Sequence, residues 1–201
     1  MAATVLLLLG SAPLHAQRRP QLDVVPPTGT TRAAVVTTSN LFGDPDMRDL
    51  VRSGFPASLR FRLELWRVGG LFNDLERHQD WELIIQYDPS AQRYRVARRN
   101  GDRLDDVGSF ATLSTAQLLL ERPLRVGLLP DRDGVRYYYN LVLNVEALSV
   151  SDMDQVERWL RGVRTDGAAS IGSGMRTLML RMLGGEKRTY EKRSPTFVAE
   201  R

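Results

Sequence analysis

Between Ala57 and Arg67 the side chains alternate without a break. Leu59, Phe61, Leu63 and Leu65 fall on one side, and Arg60, Arg62, Glu64 and Trp66 on the other. Strict alternation of this kind belongs to a strand with one buried and one wetted face. The pattern recurs along the chain. Residues 81–87 read as a second strand, Asp88-Pro89-Ser90 as a turn, and residues 93–99 as the return, with Tyr94 and Val96 inward. Asn100-Gly101 marks another turn and residues 107–111 a brief strand. Leu124, Val126 and Leu128 alternate with Arg125 and Gly127, and residues 130–134 make a hairpin connection. Residues 135–147 read as the last and longest strand, with Tyr137, Tyr139, Leu141, Leu143 and Val145 on one side. Together with residues 33–39 this makes about seven strands with no βαβ rhythm. The expected fold is therefore all-β: an antiparallel β-sandwich, immunoglobulin-like or C2-like, with short accessory helices and a C-terminal helical tail.

The helices are read from caps and apolar stripes. Asp44 can cap a short helix that starts at Pro45 and ends at Gly54, with Met47, Leu50 and Val51 on its apolar face. Ser114 or Thr115 caps a second, which runs to Leu120 before Pro123. A third begins after Ser151, with Met153, Val156, Trp159 and Leu160 as its stripe and Gly162 as its stop. Residues 163–174, rich in Gly, Ala and Ser, read as a linker.

Residues 1–16 have the order of a secretory leader: an apolar run from Ala2 to Leu9, the breakers Gly10 and Pro13, then Ala16 as the cleavage point. The run is shorter than the ~20 residues of a membrane-spanning helix. The expected organisation is a leader at 1–16, an N-terminal arm at 17–32, the sandwich at 33–162, and a linker and basic amphipathic tail at 163–201. Such a chain is exported to the periplasm or cell envelope.

Composition then removes whole classes of chemistry. The 201 residues contain no cysteine, which excludes disulfide scaffolds, thiolate metal sites and cysteine nucleophiles. Without the leader only His78 remains as a histidine, so a site with two histidine ligands is excluded. His78 lies in a polar stretch, residues 73–80, that reads as a solvated loop. The net charge of +4 is unevenly spread. Residues 1–160 hold 19 Arg against 20 acids, whereas residues 161–201 hold nine Lys and Arg against four acids. A neutral domain with a basic tail is not the footprint of a nucleic-acid binder, and no nucleic-acid partner is expected.

No catalytic set is legible. Phosphate-loop, dinucleotide and G-x-S-x-G signatures are missing, so the chain is not expected to be an enzyme and no cofactor is expected. Asp131-Arg132-Asp133-Gly134 begins like a calcium loop but has no carboxylate at its twelfth position. Asp102, Asp105 and Asp106 in one loop and Asp131 and Asp133 in another could bind calcium if the loops converged. Turn formation explains the same residues. Arg60, Arg62, Arg93, Arg95 and Arg99 would line outer strand faces, where they could grip an anionic polymer or serve as a solvated, edge-protecting face. In the tail, Met175, Leu178, Met179 and Met182 form one helical stripe beside Arg176 and Arg181. That stripe suits either the protein's own core or peripheral contact with a membrane or partner.

Several landmarks fall together: Ser53-Gly54-Phe55-Pro56 before Leu63-Glu64-Leu65-Trp66-Arg67, then Gln86-Tyr87-Asp88-Pro89 with Tyr94-Arg95-Val96. Farther on come Tyr137-Tyr138-Tyr139, Leu148-Ser149-Val150-Ser151-Asp152 and Trp159-Leu160-Arg161-Gly162. In these the chain resembles the bacterial domain-of-unknown-function family 4390, exported proteins of the Gram-negative envelope. The resemblance covers about residues 41–162 and implies export, but no catalytic residues. The expected function is that of a binding or assembly module for a protein or envelope component. The alternatives are a carboxylate-based or calcium-dependent enzyme on the acidic loops and a membrane-attached accessory protein.

Overall fold

The computed structural model describes residues 19–28, 32–101, 103–147 and 188–200. The expected leader, Asp102, the helix expected after Ser151, the expected linker and the expected methionine stripe of the tail lie outside the described residues.

The elements are β1 (Gln21–Val25), β2 (Ala34–Ser39), α1 (Pro45–Arg52), β3 (Ala57–Arg67), β4 (Asp74–Asp88), β5 (Arg93–Asn100), β6 (Arg103–Phe110), α2 (Leu113–Leu120), β7 (Leu124–Val126), β8 (Arg136–Ala147), β9 (Arg188–Arg193) and β10 (Phe197–Val198). They form two antiparallel sheets. The smaller is ordered β1-β2-β7; the larger is β10-β8-β3-β4-β5-β6, with β9 also on β8. This is the expected all-β, two-sheet architecture.

β3 pairs along its whole length with β4 on one side and β8 on the other. A strand flanked on both sides has its facing sharply defined, because a one-residue slip would turn every apolar side chain to water. Leu59, Phe61, Leu63 and Leu65 are accordingly buried, as are Tyr137, Tyr139, Leu141, Leu143 and Val145 of β8. Val24 of β1 and Val36 of β2 close over them from the smaller sheet. Each such aliphatic or aromatic side chain contributes about 1.5–3 kcal/mol by leaving water.

α1 follows its caps. The Asp44 carboxylate accepts from the backbone N–H groups of Asp46 (3.0 Å) and Met47 (3.2 Å). Gly54, at φ +91°, leaves the helix in a conformation that L side chains rarely adopt. α2 starts earlier than expected. Thr112, rather than Ser114 or Thr115, is its N-cap, accepting from Thr115 N–H at 3.1 Å in a reciprocal capping box.

Other expectations are corrected. The N-terminal arm contains β1, whose five residues pair with β2 from Gln21↔Ser39 to Val25↔Val35. The stretch around His78 is strand, not loop: β4 begins at Asp74, and His78 pairs with Glu64. Its polarity has a simple cause. β5 reaches β4 only from Glu82 onward, so among the described residues, residues 74–81 form a sheet edge, where charge resists unwanted pairing. Among the described residues β4, with 15 residues, is the longest strand instead of β8. The brief strand expected at 107–111 is β6, which starts at Arg103.

The largest correction concerns the chain end. Residues 188–200, assigned to a tail beyond the domain, complete the larger sheet along the outer edge of β8. Tyr139 N–H donates to Ser194 Oγ at 2.9 Å, and Ser194 N–H donates to Tyr139 C=O at 2.9 Å. The Phe197 ring stacks on Tyr139 with centroids 5.4 Å apart. Arg188 forms an ion pair with Asp44, joining β9 to the cap of α1. β9 reads RTYEKR, so its polar edge conceals the strand from an apolar-alternation reading.

Candidate functional site

The two sheets differ in width, and the difference creates a space. A sheet of three strands cannot cover the inner face of one built on β8, β3, β4, β5 and β6. α2 packs on β5 and β6 at the uncovered side. Between α2, the β2–β7 edge and the larger sheet a cleft of about 500 Å³ remains.

Its walls are apolar. Val36 and Leu124 come from the smaller sheet, Phe61, Trp81, Leu83 and Val96 from the larger, Val107 from β6, and Leu119 and Leu120 from α2. Trp81 stacks flat on Phe61, with centroids 5.1 Å apart and planes 6° apart, which gives the floor a rigid aromatic plate. β5 sets the polarity gradient. Along its inner side Tyr94 and Val96 are buried, whereas Arg98 and Asn100 stand exposed at the mouth. Arg122, just after α2, is a second arginine at that mouth.

The charge balance at the mouth is decided by Asp105. It stands opposite Arg98 across the β5–β6 ladder, yet its carboxylate takes the Arg103 guanidinium at 2.6 Å and the Asn100 side-chain amide. Those two hydrogen bonds, Arg103 first and Asn100 second, hold the Asp105 carboxyl below its ordinary range. Neither Arg98 nor Arg122 has a carboxylate partner among the described residues. The result is an apolar pocket with two guanidinium groups at its rim that have no carboxylate partner among the described residues. Pockets of this size and lining hold small molecules, with a few polar groups fixing orientation. Guanidinium is suited to carboxylate and phosphate.

Of the acidic residues singled out in the sequence, Asp102 lies outside the described residues, and Asp105, Asp106, Asp131 and Asp133 do not gather as a metal site would require. Asp105 and Asp106 stand on β6. Asp106 pairs with Arg95 at 3.0 Å and accepts Gly108 N–H at 3.1 Å. Asp131 lies in the β7–β8 loop, paired with Arg77, while its own N–H donates to Glu76 at 2.9 Å. Among the described residues no three His, Asp or Glu side chains gather as a metal site would require. His78 faces Asp80 at 3.5 Å on the open edge of β4.

Four of the five arginines expected on the outer face are each held by a carboxylate. Arg60 lies 2.7 Å from Glu146 and 3.4 Å from Glu82, and Arg99 shares Glu82 at 3.1 Å. Arg62 meets Glu64 at 3.0 Å, Arg95 meets Asp106, and Arg93 donates to the Ser109 hydroxyl at 3.0 Å. Glu64 is bound from three sides. Burial alone would raise its pKa, but hydrogen bonds from Trp66, Asn140 and Arg62 outweigh that and lower it. This face is a self-neutralised lattice, in contrast to the cleft mouth.

Sequence reasoning missed the cleft because its walls come from elements far apart in the chain. One local signal existed: Arg98 occupies an inward position of β5, in line with Tyr94 and Val96. A cation on the core side of a strand calls for an explanation. Compared with protein-family models, curated proteins and solved structures, the chain shows no significant match to any of them.

Proposed function

We infer that this chain is a non-enzymatic binding module whose inter-sheet cleft takes an amphipathic anion, a molecule with an apolar body and a carboxylate or phosphate end. The observation that carries the reading is the pairing of an apolar cleft of about 500 Å³ with Arg98 and Arg122, which lack carboxylate partners among the described residues. The apolar body would lie on the Phe61–Trp81 plate and the anionic end would meet the two guanidinium groups. The reading keeps the export expected from residues 1–16, and with it kinship to the envelope family 4390. An envelope supplies acyl-chain anions in quantity. The methionine-striped helix expected at Met175–Met182 would be an additional contact outside the domain.

Trp81 is a built-in reporter. In a chain carrying Trp66→Phe and Trp159→Phe, titration with dodecanoate is expected to shift tryptophan emission saturably. Dodecanol, with the same tail and no charge, is expected to bind about tenfold or more weakly, since a charge-assisted hydrogen bond contributes about 1.5–3 kcal/mol. No saturable shift with dodecanoate would remove the proposal. Equal affinity for acid and alcohol would remove the role of the arginines.

A further inference from the structure

The β3–β4 connection, residues 68–73, reads Val-Gly-Gly-Leu-Phe-Asn, and it exposes the two largest apolar side chains in it. Leu71 is 94% exposed and Phe72 82% exposed, and Leu75 at the start of β4 is 41% exposed. Turns are ordinarily built from small and polar residues, so two adjacent bulky apolar side chains at a hairpin tip run against turn chemistry. They are also held in place. Asn73 Oδ1 accepts Gly69 N–H at 3.3 Å, and Asn73 Nδ2 donates to Tyr138 Oη at 3.4 Å. Val68 N–H donates to Arg136 C=O at 2.9 Å. A Cβ at position 69 would lie 1.9 Å from the Phe72 carbonyl oxygen, so the loop closes in a way only glycine permits. The protein therefore spends a glycine and an asparagine on presenting Leu71 and Phe72 outward.

What surrounds the tip is aromatic and cationic. Trp66 and Tyr138 stack with planes 2° apart on the outer face, and the Arg193 guanidinium sits 4.2 Å over the Tyr138 ring. Four of the carboxylates at this end are engaged: Asp74 with Arg67 at 2.7 Å, Asp131 with Arg77, Glu76 with the Asp131 amide, and Asp133 with a partner of its own. Arg136 and Arg193 have no carboxylate partner among the described residues. Apolar side chains at the apex, the half-buried Trp66 behind them, and exposed arginines without carboxylate partners among the described residues match the layering of a bilayer interface: acyl chains, then carbonyls, then phosphates.

We propose that the β3–β4 tip inserts Leu71 and Phe72 into an anionic phospholipid surface, with Arg136 and Arg193 on the lipid phosphates. The site is separate from the cleft and stands or falls independently of it. Flotation of the full chain with phosphatidylglycerol vesicles is expected to carry it upward, and phosphatidylcholine vesicles to carry less. The double variant Leu71→Ser/Phe72→Ser is expected to lower vesicle partitioning about tenfold or more while leaving the melting temperature unchanged, since both side chains are already in water. Arg136→Glu/Arg193→Glu is expected to weaken binding to phosphatidylglycerol and leave phosphatidylcholine binding nearly as it was. In a Phe72→Trp chain, brominated acyl chains are expected to quench the added emission. The proposal is overturned if the native chain stays unfloated with both lipids, as it would if the tip fits a groove on a protein. It is equally overturned if the serine variant floats as well as the native chain, which would assign lipid contact to another segment.

Discussion

The two long sides of the sandwich are finished in different ways. At the β8 side the chain end returns as β9 and β10, bonds to the exposed edge, and lays Phe197 against Tyr139. At the β6 side no strand among the described residues extends the sheet. There α2 leans on β5 and β6, a bulge between Val96 and Ala97 breaks the register, and a cleft stays open to water. One side is zipped and the other propped. A zipped side converts backbone groups and aromatic rings into stability, whereas a propped side keeps apolar surface accessible to a ligand.

If that contrast is right, equal deletions on the two sides should have unequal consequences. Leu141→Ala, fully buried in β8, is expected to cost about 2–5 kcal/mol in urea unfolding because its cavity cannot collapse. A cost under about 1 kcal/mol there would break the comparison. Tyr139→Phe is expected to cost about 1–3 kcal/mol, since the Tyr139 hydroxyl donates to the buried Leu128 carbonyl at 2.5 Å. Leu124→Ala, on the cleft wall and partly exposed, is expected to cost only about 1 kcal/mol, because water already reaches the space it vacates. Arg98→Ala is expected to change stability by less than about 0.5 kcal/mol while weakening dodecanoate binding about tenfold. A strong loss of stability in that variant would mean the arginine is structural.

The smallest effect tests the outer lattice rather than either side. The Glu64 pKa is lowered in the folded state, so its contribution is present above the unfolded carboxylate value of 4.5 and is lost as pH falls through the folded value. The stability difference between native chain and Glu64→Gln is therefore expected at pH near 7 and should shrink below about pH 4. Parallel urea curves at the two pH values measure it. A difference independent of pH would assign the effect to lost packing.

How much of this was written in the chain follows the same division. β3, β5 and β8 were legible because both neighbours of each strand cooperate in burying one face, and that leaves a period-two signature. α1 was legible because Asp44, Pro45 and Gly54 act locally. The first half of β4, and β9, were not. Each has a side that pairs with no further strand among the described residues, and its polar composition carries strand geometry without apolar alternation. The Leu71-Phe72 pair was visible in the sequence. Its meaning depended on knowing that both neighbours of β3 end beneath it.

The sequence by itself determined that the chain builds antiparallel sheets with a specific inward set of side chains, because alternation, caps and turns are decided among neighbours along the backbone. Only the tertiary structure decided that the sheets have unequal width, that the chain end closes β8, and that Arg98 and Arg122 meet at one mouth. Those outcomes depend on contacts between residues far apart in the chain, and local side-chain chemistry carries no record of which distant strand will lie opposite.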